Sequence, residues 1–371
     1  MQKRSTRIIV LKFLVVFILM ITSFFVLRHN ASWYQQPVGE VMSVKNLSSQ
    51  SLQDQYGNNI KQHDERVKVK ILNTEKKNEI ISFKNTYDDA MAITQPLHQH
   101  DQIFLSKSEK SWGLKDFKRD TFWIPILILV IGVLIITTGK AGVMMTTSLF
   151  LNVILFIFTI YLNLITKDAN IFWLFILFSL VASAITLMFV MGIKNRLTWT
   201  VLLTVITSTI LAMSIGLLVF SLTKGKGLHF ELMSFITQLP QPMFLSMTLV
   251  GVLGAVMDEA TDMIATLFSV EREHPDIGLK DLLITGRHVG QEIFGALSNT
   301  LFLIFMAEQI PMAILYLRNG NNWGFTYTMN LSLGMIQTLI SAIGIVLTVP
   351  AGIFWVWILH KWQQKKAGIQ S

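Results

Sequence analysis

Three carboxylates lie close together near the end of one long apolar segment. Asp258, Glu259 and Asp262 follow the apolar run 251–257. A charged side chain at membrane depth is costly, so it is kept mainly where it is paired or functional. Carboxylates in such a place bind a cation or carry a proton. This segment is therefore the first candidate for a functional centre.

A second polar cluster opens the next apolar segment, where Arg287, His288 and Glu292 lie close together. His288, Glu292 and Asn299 recur at helical spacing and share one helix face. Arg287 and His288 are candidate counter-ions for the acids across the intervening loop. Two interpretations stay open: a functional acidic centre, or an interfacial cluster of ion pairs with no further role.

The last apolar segment carries Gln337 on a face of small and polar residues. An amide at membrane depth needs hydrogen-bond partners. Such a face serves either as part of a polar path or as a surface where helices approach closely. We expect close helix packing at five glycines: Gly254, Gly290, Gly295, Gly334 and Gly344.

The sequence lacks the common enzyme motifs. It has no His-Glu-x-x-His metalloprotease pair, no Gly-x-Ser-x-Gly elbow and no Walker-type phosphate loop. It also has no Cys, which excludes thiolate metal sites and Cys nucleophiles. His288 and Glu292 supply only two metal ligands at i, i+4 spacing. We therefore predict a protein that is not an enzyme and that uses no metal or other cofactor.

The composition indicates an α-helical polytopic membrane protein. Hydrophobic residues make up 52% of the 371 residues and charged residues only 15%, whereas about a quarter of a soluble chain is charged. The net charge of +8 comes from basic residues scattered over loops, so we expect the lipid bilayer, and no nucleic acid, as partner. Apolar runs of membrane length predict eight spans, near 13–27, 122–138, 143–165, 170–193, 197–222, 240–265, 291–317 and 329–359.

One long hydrophilic region separates the first two spans. Its stretch 67–72 alternates apolar and polar residues, which predicts a β-strand, and 80–84 and 102–106 favour two more. We expect a small, barrel-like β-rich domain. The first span is either a signal anchor, which we favour, or a cleaved signal peptide. The predicted domains are a signal-anchor helix at 1–29, the β-rich domain at 30–118, a seven-helix transmembrane domain at 119–366 and a cytoplasmic tail at 367–371.

Basic residues predict the orientation of the spans. With the N-terminus inside, the inner loops hold clearly more Lys and Arg than the short outer loops. The positive-inside rule then favours cytoplasmic termini and an extracellular domain at residues 30–118.

Two runs of the sequence carry a family resemblance. Residues 254–258 read Gly-Ala-Val-Met-Asp, and residues 286–301 read Gly-Arg-His-Val-Gly-Gln-Glu-Ile-Phe-Gly-Ala-Leu-Ser-Asn-Thr-Leu. Together they resemble the core of YibE/F-like bacterial membrane proteins, in which Gly-Ala-x-Met-Asp precedes a pattern with Gly-Arg-Asp and Asn-Thr-Leu. The β-rich domain, with Lys118-Arg-Asp after it, is similar to the longer, YibE-type members.

The resemblance bears on location, partners and site residues. It implies the plasma membrane of a bacterium, and a YibF-like membrane partner or a homo-oligomer. The chain departs from the family pattern at Gln291-Glu292, where Arg-Asp is usual, and at Glu259 and Asp262, where the family is often apolar or small. The first departure favours Glu292 over Gln291 as a functional acid, and the second favours Asp258 over Glu259 and Asp262. The family implies no established biochemical activity.

The sequence therefore predicts a permease or transporter. Its polar route would be lined by a set of ionisable and amide side chains, namely Asp258, Glu292, Asn299 and Gln337. The alternative is a non-transporting membrane scaffold or envelope sensor that binds a partner through its outer β-domain.

Overall fold

The computed structural model describes residues 2–367 except for a few short ranges. The ranges not described are 54–58, 92–93, 109–110, 167–169, 231–232, 234–238 and 275–276, together with residue 1 and with 368–371 in the predicted tail. The chain divides into two compact units, residues 1–143 and 144–371.

The first unit combines two long apolar helices with a β-sheet between them. Helix α1 spans Gln2–Arg28 and helix α2 spans Asp120–Thr138. They pack against each other, with Phe24 and Phe122 rings 5.9 Å apart between centroids. Gly132 of α2 leaves room for the side chain of Val16, which a β-carbon there would overlap.

The sheet has five antiparallel strands in the order β3-β2-β1-β4-β5. The strands are β1 (Val38–Gln53), β2 (Asn59–Ile71), β3 (Ile80–Asp88), β4 (Gln102–Lys107) and β5 (Trp112–Phe117). Alternate residues of β2, Val67, Val69 and Ile71, are buried in its core, as the period-two pattern predicts. The small β-rich domain between the first two long helices is thus confirmed, and β1 and β5 are additions to the predicted strands.

The second unit is a bundle of long helices, which α3 (Lys140–Ile165) connects to the first unit. The others are α4 (Ile171–Met191), α5 (Arg196–Thr223), α6 (Pro240–Glu273), α7 (Leu279–Arg318), the short α8 (Trp323–Thr326), a π-helical segment (Tyr327–Leu331) and α9 (Ser332–Ala367). Helices α5, α6 and α9 form its core, because about half of their apolar stretches is buried, against 6% for α7.

Eight helices among the described residues are long and apolar enough to cross a membrane, as predicted. Helices α6 and α7, which carry most of the predicted site, are longer than the hydropathy pattern suggested. Helix α6 continues to Glu273, and α7 begins at Leu279 rather than near residue 291. The polar cluster therefore lies inside α7. An amphipathic helix can carry charges along its exposed face, which lowers its mean hydropathy without ending the helix.

Candidate functional site

The three acids of α6 lie on different sides of the helix. Glu259 is completely buried, whereas Asp258 and Asp262 are exposed. The same exposed side holds Gly254, where a β-carbon would meet no atom of the described residues within 4 Å. The face through Gly254, Asp258 and Asp262 thus points away from the core, and Glu259 points into it.

Glu259 belongs to the stripe of α6 that packs on α9. The stripe consists of Val252, Val256, Glu259 and Met263, and all four are completely buried. Their spacing of four, three and four residues places them along one helix face. Because Glu259 lies on this face, its side chain is buried among the apolar residues of the contact between α6 and α9.

Two glycines of α9 show which part of that helix Glu259 faces. A β-carbon at Gly344 would lie 2.8 Å from Val256 Cγ2, and one at Gly352 would lie 2.6 Å from Met263 Cε. Glu259 lies between these two α6 residues on the same stripe. Glu259 is therefore at the same height in the bundle as the middle of the α9 segment 344–352. Thr348 lies there; it is buried, and its hydroxyl donates to the carbonyl of Ile345 at 2.6 Å.

Helix α5 forms the third wall at this level. A β-carbon at Gly344 would lie 3.5 Å from Ala212 Cβ, and one at Gly352 would lie 3.6 Å from Thr204 Cγ2. The stretch of α5 between these contacts contains Ser208, a buried residue whose hydroxyl has no hydrogen-bond partner among the described residues. One layer of the bundle thus holds Glu259, Ser208 and Thr348.

The carboxyl group of Glu259 is unsatisfied. Within the described chain neither of its oxygens accepts or donates a hydrogen bond. Burying an ionised carboxylate without a partner is costly, so such a group has to be neutralised by a proton or by a cation. The described residues contain no group of three His, Cys, Asp or Glu side chains placed to hold a metal ion. The arrangement suits proton exchange better than Ca²⁺, which takes six or more oxygen ligands.

The polar cluster of α7 faces away from the bundle. Gly286 and Gly290 pack on α9, where β-carbons would crowd Ile353 and Val349. By contrast, the polar side chains are exposed, namely Arg287, His288, Gln291, Glu292 and Asn299. No ion pair found among the described residues joins Arg287 or His288 to the acids of α6. Arg287 and His288, the predicted counter-ions, therefore form no ion pair with Asp258 among the described residues.

Gln337 is the predicted site residue that does reach α6. Its Nε2 lies 3.1 Å from the position of a β-carbon at Gly251, so this glycine lets the amide approach the helix backbone. Asp258 is seven residues further along α6, about 10 Å at 1.5 Å per residue. The structure brings Gln337 to the helix that carries Asp258 and leaves Glu292 and Asn299 on the exposed face of α7.

Three of the five glycines expected at helix contacts lie at them. Gly290 faces Val349, Gly334 faces Phe305 and Gly344 faces Val256. Gly254 and Gly295 instead face open space within the described chain. They share the exposed faces that carry Asp258 on α6 and Glu292 on α7, so the packing expected for them is not found.

Comparison with known proteins decides the family. Residues 126–361 match the family model for YibE/F-like protein. The chain belongs to the YibE/F-like family. Residues 32–116 match the N-terminal domain of the same family, so both units of this YibE/F-like chain are covered. The predicted resemblance is confirmed. No curated protein matches the chain, and no solved structure matches it.

Two features of the YibE/F-like chain were missed from the sequence. The family pattern favours Asp258 over Glu259, and only the packing on α9 shows that Glu259 is buried together with Val252, Val256 and Met263. Arg196 is one of the basic residues that the sequence assigns to the inner loops, and its Nη1 lies 3.3 Å from Glu271 Oε1 of α6. Nothing in the spacing of two residues so far apart along the chain signals that pair.

Proposed function

We propose that this YibE/F-like protein is a multi-pass membrane permease that moves protons through its α5–α6–α9 core. In this proposal Glu259 takes up and releases the proton. The observation that supports it is a completely buried carboxyl group without a hydrogen bond in the described chain. A structural role for a buried acid would call for a partner, and Glu259 has none there.

The membrane setting belongs to the proposal. The eight long helices would cross the plasma membrane of a bacterium, with both termini in the cytoplasm and the sheet of the first unit outside. The support is the hydropathy of the helices and the excess of basic residues in the inner loops. The first helix stays attached as a signal anchor.

Asp258 and Asp262 have a second role in the proposal. Both residues lie on the exposed side of α6, within about one turn of Glu259, which lies on the buried side. Adjacent helical residues point about 100° apart, so Asp258 cannot face the same layer as Glu259 without a rotation of α6. We assign Asp258 and Asp262 to proton exchange with the aqueous phase, and Glu259 to the step inside the core.

Proton flux into proteoliposomes tests the proposal. The full-length protein is reconstituted with an internal pH-sensitive dye, and a membrane potential or a gradient of Na⁺ or K⁺ is applied. We expect flux in the wild type, loss of most of it in Glu259→Gln, and a partial loss in Asp258→Asn. Glu271→Gln is the matched control, because it changes an acid of the same helix that has an ion-pair partner. Absence of wild-type flux, or full flux in Glu259→Gln, contradicts the proposal.

One observation favours the alternative, a membrane scaffold or envelope sensor. The end of the β1–β2 hairpin, where Ser51 pairs with Lys61 and Leu52 with Ile60, forms an arm that extends past the last β2 residue paired with β3. Leu52 is exposed on this arm. A two-stranded ribbon without a core is only marginally stable. A protein partner, either a YibF-like protein or a second copy, would stabilise this arm.

Shortening the arm separates the two functions. Joining Gln50 to Gln62 through a two-residue turn removes the exposed ribbon and keeps every β2 residue that pairs with β3. The permease proposal expects unchanged proton flux. Loss of flux together with loss of a co-purifying membrane partner would favour the scaffold interpretation instead.

A further inference from the structure

A cavity of about 290 Å³ lies between α4, α5 and α6. Its walls are mainly apolar, with Phe172 and Ile176 from α4, Met213 from α5, and Leu249 and Leu253 from α6. Leu253 lies six residues before Glu259, on another face of α6. The cavity is therefore separate from the buried acid.

Two hydroxyl groups in the cavity wall are unsatisfied. Ser179 of α4 and Thr209 of α5 are 4% and 6% exposed, and the described chain offers neither hydroxyl a hydrogen-bond partner. The neighbouring Ser183 differs, because its hydroxyl donates to the carbonyl of Leu180 at 3.0 Å. A buried hydroxyl without a partner is unfavourable, so a ligand that supplies one is favoured at Ser179 and Thr209.

The cavity opens on the side of the bundle. Leu180 and Ile210, which line it, are 41% and 59% exposed, whereas Leu249 and Leu253 behind them are buried. If the helices cross a bilayer, this opening faces lipid. The described residues that line the cavity include no charged side chain. An occupant would therefore enter from the membrane and would be lipophilic and uncharged.

We propose that this cavity binds a small, uncharged, lipophilic molecule with a single hydrogen-bonding oxygen, held by Ser179 and Thr209. The volume is about ten times the ~30 Å³ that a water molecule occupies in the liquid, which leaves space for about ten non-hydrogen atoms. The site extends the proposed function without depending on proton transfer by Glu259.

Photolabelling of the full-length protein in liposomes tests the site. The probes are n-decanol and n-decane, each carrying a diazirine near the chain end, and labelled residues are identified by mass spectrometry. We expect the alcohol to label residues of α4, α5 and α6 that line the cavity, and excess n-decanol to suppress the labelling. The alkane has the same chain without the oxygen, so it should label the same residues much more weakly.

Matched variants make the test specific. The double variant Ser179→Ala, Thr209→Val should weaken alcohol labelling about tenfold, because both hydrogen-bonding groups are lost. Ser183→Ala, which removes a hydroxyl already bonded to the backbone, should leave it nearly unchanged. Equal labelling by both probes, or equal labelling of wild type and double variant, overturns the proposal. Proton flux, measured separately, distinguishes this outcome from a failure of the permease proposal.

Discussion

Arg196 at the start of α5 and Glu271 near the end of α6 form an ion pair, with Nη1 3.3 Å from Oε1. The same guanidinium lies over the ring of Phe268, 5.0 Å from its centroid. Glu259 lies about three turns earlier on α6 and is more deeply buried, yet no hydrogen bond to it is found in the described part of the chain. Helix α6 therefore carries one acid with a structural partner and one acid without.

Replacing Glu259 with an apolar residue should stabilise the fold. Exchange of a buried ion pair for apolar side chains of similar volume often stabilises a protein by about 1–4 kcal/mol, and a buried carboxyl group without a partner has no attraction to lose on such an exchange. We expect Glu259→Met to raise the thermal unfolding temperature in detergent while it abolishes proton flux. Glu271→Met, which removes the partner of Arg196, should lower that temperature. A lower unfolding temperature in Glu259→Met would show that Glu259 has a stabilising partner.

Gly334 provides a test of helix packing between α7 and α9. A β-carbon at Gly334 would overlap the ring of Phe305, with Cζ 2.8 Å away. An added carbon in a well-packed contact costs about 1–3 kcal/mol, so Gly334→Ala should destabilise the protein by that amount in thermal unfolding. Gly254→Ala is the control, because its side faces open space and should leave stability the same or slightly higher. Equal effects of both substitutions would contradict the packing described here.

In the first unit, Lys118 is buried between the sheet and α2. Its Nζ lies 2.9 Å from Asp120 Oδ1 and donates to the carbonyl of Leu27 and the hydroxyl of Thr121. Removing one partner of a buried pair costs about 3–5 kcal/mol, because the other charge stays buried. We expect Lys118→Met to expose the first unit to limited proteolysis. Lys76→Met should not, since Lys76 pairs with Glu79 at the surface.

Tyr34 should make the stability of the first unit depend on pH in the alkaline range. Burial, and next the hydrogen bond to Asp120 at 2.7 Å, raise the pKa of Tyr34 above its ordinary value. A raised pKa in the folded state gives stability that is present below the unfolded pKa of about 10 and is lost as the pH rises through the folded pKa. Wild type should exceed Tyr34→Phe in stability at neutral pH, and chemical unfolding should show the difference shrinking above about pH 10. A constant difference across that range would contradict the contact.

Much of the fold could be predicted from the sequence, because hydropathy and period-two alternation are local signals. They located the eight long helices and three of the five strands. The outer half of β1 is mostly polar and exposed on both faces, and its two Leu residues lie five positions apart, so it shows no period-two alternation. The start of α7 was also missed, since charges on its exposed face lowered the hydropathy of a continuous helix.

The candidate site was less predictable. The sequence showed that α6 carries three acids, but only packing shows which of them faces the core. Val252 and Val256 lie against Gly344, and Met263 lies against Gly352, so Glu259 between them has to be buried. Asp258, which the family pattern favoured, lies one residue away and is exposed. Which face of a helix is covered depends on residues about ninety positions distant, and no local pattern records that.

Proton binding by Glu259 can be tested by chemical modification of this residue in native membranes. Dicyclohexylcarbodiimide is lipophilic and reacts with protonated carboxyl groups, so it reports an acid that holds a proton inside an apolar core. We expect mass spectrometry to find Glu259 modified many times faster than Glu271, the modification to slow as the pH rises, and proton flux to fall in step with it. Modification confined to Asp258 or equal at Glu259 and Glu271, or full flux after Glu259 has reacted, would rule out proton transfer by Glu259.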